Sequence, residues 1–216
     1  PSEFVSMIGT AIGEGNQPAL FIQVPDADRI LRQGVFWDIY YEHCSYFTAT
    51  SLRSLLERNG FKVMLLWNGY QGQYLMVEAI PHNSTGREKW PAGEKIREYE
   101  EKIDRFERLV SHQIEHWQNM LEEMLTARRR IAVWGAGSKA VAFLNLLDPE
   151  MHLECAVDIN PHKRGMFIAG TGHEIVSPED LVERDLDVVI LMNSVYHGEV
   201  REALTELGLN PTLIDI

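Results

Sequence analysis

The stretch RIAVWGAGSKAVAFLNLL, residues 130–147, constrains the fold more than any other part of the chain. A short apolar run ends in two glycines one residue apart and passes straight into a helical pattern, which is the order strand, tight turn, helix. Two more apolar strands follow, in ECAVDINP and in DVVILMN. The second has the uninterrupted Val/Ile/Leu composition of a strand covered on both faces. Strands alternating with helices predict an α/β fold with a parallel, doubly wound sheet over residues 129–216.

In such a unit Gly135 permits the tight turn and Gly137 lets the backbone approach a phosphate. The N-terminus of the next helix offers free N–H donors and the positive end of a dipole, and Ser138 and Lys139 stand there to help hold a diphosphate. Asp158 ends the second strand about twenty residues on, where a ribose-binding carboxylate would sit. Asn193 and Tyr196, just past a later strand, and the loop Gly170 to His173 are expected to rim the same crevice. Two readings stay open. The turn either cradles a nucleotide or simply reverses the chain, with Ala140 packing helix on strand, because the fold alone does not choose a ligand.

Upstream, residues 3–12 read as a helix and ALFIQVP as a buried strand, followed by strand and loop that deliver DIYYEHCSYFT, residues 38–48. From Thr50 a helix is predicted, stopped by Gly60, and FKVMLLWNGYQGQYLMVEA reads as an antiparallel hairpin. PHNSTGREKWPAG, residues 81–93, is a polar linker punctuated by proline and glycine. A long helix then runs from Glu94 to Ala127. Ile96, Ile103, Val110, Trp117 and Met124 recur every seventh position, with Tyr99, Phe106 and Met120 interleaved and Gln113 interrupting. This seam predicts a helix packed lengthwise on a domain, with a dimeric coiled coil as the alternative. Within it HQIEH, residues 112–116, fits the H-x-x-E-H pattern of some zinc proteases. No third ligand has an obvious source, so the pattern is read as a solvated helix face and no metal site is expected.

Charge and composition narrow the partners. Lys and Arg number 20 against 32 Asp and Glu, a formal charge of -12, which disfavours a nucleic-acid surface built on clustered cations. Arg128 to Arg130 reads as a helix end favoured by the dipole. Cys44 and Cys155 lack metal-type spacing and fit a reducing, cytoplasmic setting. No apolar run reaches the roughly eighteen residues of a membrane span, so no membrane partner is expected. The chain opens on Pro1, and it is expected to begin inside a longer reading frame.

The residues also suggest a family. FWDIYYEHCSYFT, SLRSLLERNGFKV and GQYLMVEA together resemble the final third of a class I S-adenosylmethionine-dependent methyltransferase. WGAGSKAVAFLNLL, VDINPHKRGMFIAGTGHEIVSPEDL and the MNSVY step are similar to the C-terminal, Rossmann-like domain of sugar-nucleotide C-methyltransferases. The resemblance implies C-methylation of a nucleotide-linked 4-keto-deoxysugar, with S-adenosylmethionine as methyl donor and a nucleotide-diphosphate sugar as partner. It further implies three parts: the end of a catalytic domain at 1–80, a linker and long helix at 81–128, and the Rossmann-like domain at 129–216. The family's motif of tyrosine, one residue, glutamate, histidine falls on Tyr40, Glu42 and His43. The family's N-terminal zinc-binding region and glycine-rich cofactor loop have no counterpart in these 216 residues, so the chain alone is expected not to methylate.

The chemistry of DIYYEHCSYFT is consistent with that role. Methylating a carbon beside a ketone first requires loss of its proton. A histidine with a near-neutral pKa suits the base, a glutamate can orient it, and a tyrosine can donate to the developing oxyanion. Capping and packing at a strand-to-helix junction remain the plain alternative for the same residues. Two other functions also remain open: an NAD(P)-dependent oxidoreductase, argued from Gly135, Gly137 and Asp158, and a non-catalytic nucleotide-binding scaffold. A homodimer through the seam or through an open sheet edge is compatible with each.

Overall fold

A computed structural model of the chain describes residues 1–13, 15–82, 93–147 and 153–216. The chain divides into two compact units. One comprises Pro1–Val35 and His43–Leu109, the other Phe36–Glu42 and Val110–Ile216.

The first unit is built on a small antiparallel sheet. Its strands are β1 (Leu20–Pro25), β2 (Phe61–Gly69) and β3 (Tyr74–Pro81), in the order β1-β3-β2. Helix α1 (Ser2–Ile12) and helix α3 (Ala49–Arg58) supply the apolar cover. Val5, Leu52 and Leu56 meet Phe61, Val63, Leu75, Val77 and Ala79 in one core. Thr48 caps α3, its hydroxyl accepting the Ser51 N–H while Ser51 returns a bond to the Thr48 N–H, so two otherwise orphaned donors are satisfied together. Between Val63 and Leu65 the register slips by a bulge, and Met64 and Leu65 are both exposed.

Two elements depart from expectation: β1, read as a buried strand, has no fully buried position because only one of its faces is covered, and the segment after it differs as well. The segment after β1 was read as strand and loop, but α2 (Ala27–Gln33) forms there, capped by the Asp26 carboxylate, which accepts the Asp28 N–H at 3.0 Å. It ends on Gly34, at φ 68°, whose added Cβ would lie 2.8 Å from that of Leu109. The helix has only seven residues, too few for its apolar period to stand out.

Helix α4 (Gly93–Thr126) belongs to the first unit up to Leu109 and to the second from Val110. The expected heptad seam is graded. Ile103 is exposed, Tyr99, Phe106, Val110, Met120 and Met124 are half-buried, and Trp117 and Leu121 are fully buried. His112 and His116 are exposed, and no metal-type cluster occurs among the described residues. The linker expected over 81–93 lies outside the described residues except at its ends.

The second unit carries a five-stranded parallel sheet of β4 (Ile131–Trp134), β5 (Cys155–Val157), β6 (Ile175–Val176), β7 (Val188–Leu191) and β8 (Thr212–Asp215). Its order is β6-β5-β4-β7-β8, with every pairing parallel. The chain builds outward from β4 through α5 (Ser138–Leu147) and β5 to β6, then crosses back to β7 and continues through α6 (His197–Glu206) to β8. β4 and β7 are buried at every position, as their unbroken apolar runs predict. Phe36–Asp38 form a short 3-10 turn that belongs to this unit. The Phe36 ring stacks on Phe143 of α5 with centroids 6.2 Å apart, Trp37 meets the same ring edge-on at 6.1 Å, and Trp117 does so at 5.1 Å.

Candidate functional site

The strand order reverses between β4 and β7, and their following helices leave on opposite sides, which opens a crevice beyond the carboxyl ends of the two strands. A cavity of about 540 Å³ occupies it. The floor is apolar, made by Trp134, Leu191 and Met192, and its polar groups converge from the glycine turn, from the end of β5 and from the loop after β7.

The two turn glycines do different work. Gly135 sits at φ 106°, a conformation that side chains rarely adopt, and an added Cβ would lie 3.3 Å from that of Met192. Gly137 has no protein atom within 4 Å of its would-be Cβ, so its missing side chain leaves room for something other than protein. Ser138 then opens α5, whose first N–H groups have no partner within the helix.

The seven residues expected to bind substrate, Gly135, Gly137, Ser138, Lys139, Asp158, Asn193 and Tyr196, all line this cavity. Two of them are already engaged by other charges. The Lys139 ammonium lies 2.8 Å from the Asp38 carboxylate, with the two side chains 15% and 8% exposed, so its charge is neutralised inside the protein. Asp158 accepts the Asn160 N–H at 2.9 Å and the Lys163 ammonium at 2.7 Å, and Lys163 also donates to the Ala136 carbonyl. Each carboxylate oxygen thus accepts one bond from within the protein.

The Gly170–His173 loop was expected at the crevice, but it is absent from the cavity lining. A Cβ on Gly170 would overlap the Asn145 side chain, which donates to the Ala169 carbonyl at 2.8 Å. His173 is buried, its Nε2 accepting the Leu153 N–H and its Nδ1 facing the Thr171 hydroxyl at 2.8 Å. The loop is a structural clasp for the end of α5.

Of the three residues expected to be catalytic, Tyr40 lines the cavity, and Glu42 accepts the Ser138 hydroxyl at 2.9 Å. His43 falls in the other unit, with its ring edge-on to Tyr46 at 6.1 Å. Tyr41, between Tyr40 and Glu42, is almost fully exposed. Sequence reasoning missed Lys163 and Asp38, since both depend on which carboxylate or ammonium the fold brings near.

The sequence model of the family described as the C-methyltransferase C-terminal domain matches residues 87–210, more than half of the chain. The chain belongs to that family. No curated protein matches the chain. The match to the C-methyltransferase C-terminal domain takes in the glycine turn, Asp158, Lys163, Asn193 and Tyr196, and so all of the cavity except Tyr40. Among the described residues of this C-methyltransferase chain no helix is long and apolar enough to cross a membrane.

Proposed function

We propose that the chain is the C-terminal portion of a C-methyltransferase that uses S-adenosylmethionine to methylate a nucleotide-linked 4-keto-deoxysugar. In this reading residues 1–80 end a catalytic domain, 81–128 link, and 129–216 form a substrate-holding domain. One observation carries it: Tyr40 of the Tyr-x-Glu-His stretch shares a cavity with the glycine turn. The apolar floor suits a base or sugar ring, and the start of α5 suits a phosphate.

The chemistry then follows from the residues. By the motif alone His43 is the base that takes the proton from the sugar carbon beside the ketone, the C–H electron pair passing into an enolate; Tyr40, in the cavity wall, is the donor suited to an enolate oxygen. Glu42 precedes His43 in the chain and is assigned by the same motif, although its carboxylate accepts the Ser138 hydroxyl here. S-adenosylmethionine, when bound, would supply the electrophilic methyl group for that carbon.

A thermal-shift comparison tests this directly. A ligand that binds only the folded state at a hundredfold excess over Kd stabilises it by about 2.7 kcal/mol. A shift with a deoxythymidine-diphosphate-linked 4-keto-deoxysugar, and none with NAD, is the expected result. A shift with NAD alone would replace this function with a redox one.

A further inference from the structure

Residues 36–42 interrupt the first unit in sequence but pack with the second. Aromatic contact explains why Phe36 and Trp37 are held. It does not explain Asp38, a carboxylate buried to 6% exposure next to two aromatic residues, which is costly unless paired. Its partner is Lys139, the residue after the first of α5, which also lines the cavity. Two positions beyond Asp38 stands Tyr40, in the cavity wall, and two beyond that Glu42, bonded to Ser138. The acids and the tyrosine of this short stretch are therefore fastened, at alternate positions, to the two residues that open α5 and to the cavity they border.

We propose that Asp38 is a positioning residue: its buried ion pair with Lys139 is a strut that holds Tyr40 and Glu42 at the cavity, so that a ligand bound there orders the stretch 39–42. The inference rests on the nucleotide-sugar reading for the ligand, but the strut itself stands on the unliganded geometry. A buried charge pair suits this task better than apolar contact, because its geometry is met in one register only and a slip of the stretch would break it. Lys139 then serves chiefly as an anchor. Phosphate recognition is left to the N–H groups at the start of α5.

Hydrogen exchange of the 216-residue chain, read on peptides spanning 36–42, tests both levels. Without ligand, Asp38→Asn is expected to speed exchange over 39–42 by about tenfold or more relative to the parent chain. Asp38→Glu is expected to recover part of the protection, and the exchanged pair Asp38→Lys with Lys139→Asp most of it. Asp38→Asn exchanging like the parent overturns the strut, and so does a charge-exchanged pair no better protected than Asp38→Asn when both melt like the parent. With a deoxythymidine-diphosphate-linked 4-keto-deoxysugar added, the parent is expected to gain protection over 39–42. With ligand at concentrations that saturate both proteins, Asp38→Asn is expected to gain none, a result that weaker binding would not produce. Binding by the parent without any added protection overturns the coupling. Absence of binding by the parent overturns the nucleotide-sugar reading and the coupling with it, while the unliganded comparison still decides the strut.

Discussion

The two sheets bury their residues to very different degrees. In the parallel sheet β4 and β7 show no exposed position, and Ala132, Val157, Val189 and Leu191 join Leu181, Val200 and Leu204 in a core closed on that face by α6. The antiparallel sheet is covered by α1 and α3 on one face, while Phe21, Leu65 and Trp67 remain exposed on the other, with Phe21 and Trp67 only 6.1 Å apart. β1 has a single strand neighbour among the described residues. A parallel sheet obliges its crossovers to supply helices for both faces, whereas a hairpin imposes no such cover. The sheet that is wrapped by its own connections is also the one whose strand ends border the glycine-turn cavity.

The sharpest way to break this contrast is at Phe143, the fully buried ring on which Phe36, Trp37 and Trp117 converge. Phe143→Ala is expected to cost about 3–5 kcal/mol in urea unfolding and to free residues 36–42. A loss no larger than that of an average substitution would mean that the aromatic cluster is not what fixes that stretch. Next come the glycines. Gly135→Ala forces a side chain into positive φ against Met192 and is expected to lose about 1–3 kcal/mol. Gly137→Ala should melt like the parent yet weaken nucleotide-sugar binding, since its methyl would enter only the cavity. Equal melting losses for the two would contradict the division of labour between them.

Smaller again is the acid response. The Arg130 N–H, and after it the Arg129 side chain, hold the Asp187 carboxyl below its ordinary value of 3.8. A depressed folded pKa contributes stability that is present above the unfolded value and is lost as pH falls through the folded one. Asp187→Asn should therefore narrow the gap in melting temperature between pH 6 and about pH 3, and an unchanged gap would dismiss the contact. Least of all, Leu65→Lys on the open face should shift stability by no more than about 0.5 kcal/mol. It should reduce any self-association seen by sedimentation at high concentration, and a large stability loss would show that this face is covered after all.

Cysteine chemistry separates the regions in the same way. Burial pushes the Cys155 thiol up to about 11, while Cys44 is exposed. Iodoacetamide at neutral pH is expected to label Cys44 and leave Cys155 untouched until the protein unfolds.

Much of this was legible in the sequence because it is written locally. The glycine turn, the apolar runs of β4 and β7, the helix read from Thr50, two residues past its Thr48 cap, and the hairpin read over 61–79 each follow from neighbours a few positions apart, where backbone conformation and hydrophobic period are set. The long α4 was equally plain, since its period repeats many times. The short α2 was missed for the opposite reason. Whether Gly170–His173 faces a ligand or clasps α5 depends on where Asn145 and Leu153 lie, and no local pattern records that.

The sequence by itself determined that strands and helices alternate after Ile131, that two glycines stand where a turn and a ligand would need them, and that Tyr40, Glu42 and His43 cluster within four positions. Only the tertiary structure decided which charges meet. It gave Lys139 to Asp38, Lys163 to Asp158 and Ser138 to Glu42, and it sent residues 36–42 to pack with the second unit. Backbone preference acts over a few residues and can be read from them. An ion pair between positions 38 and 139 exists because packing has removed both groups from water, and that is a property of the folded chain.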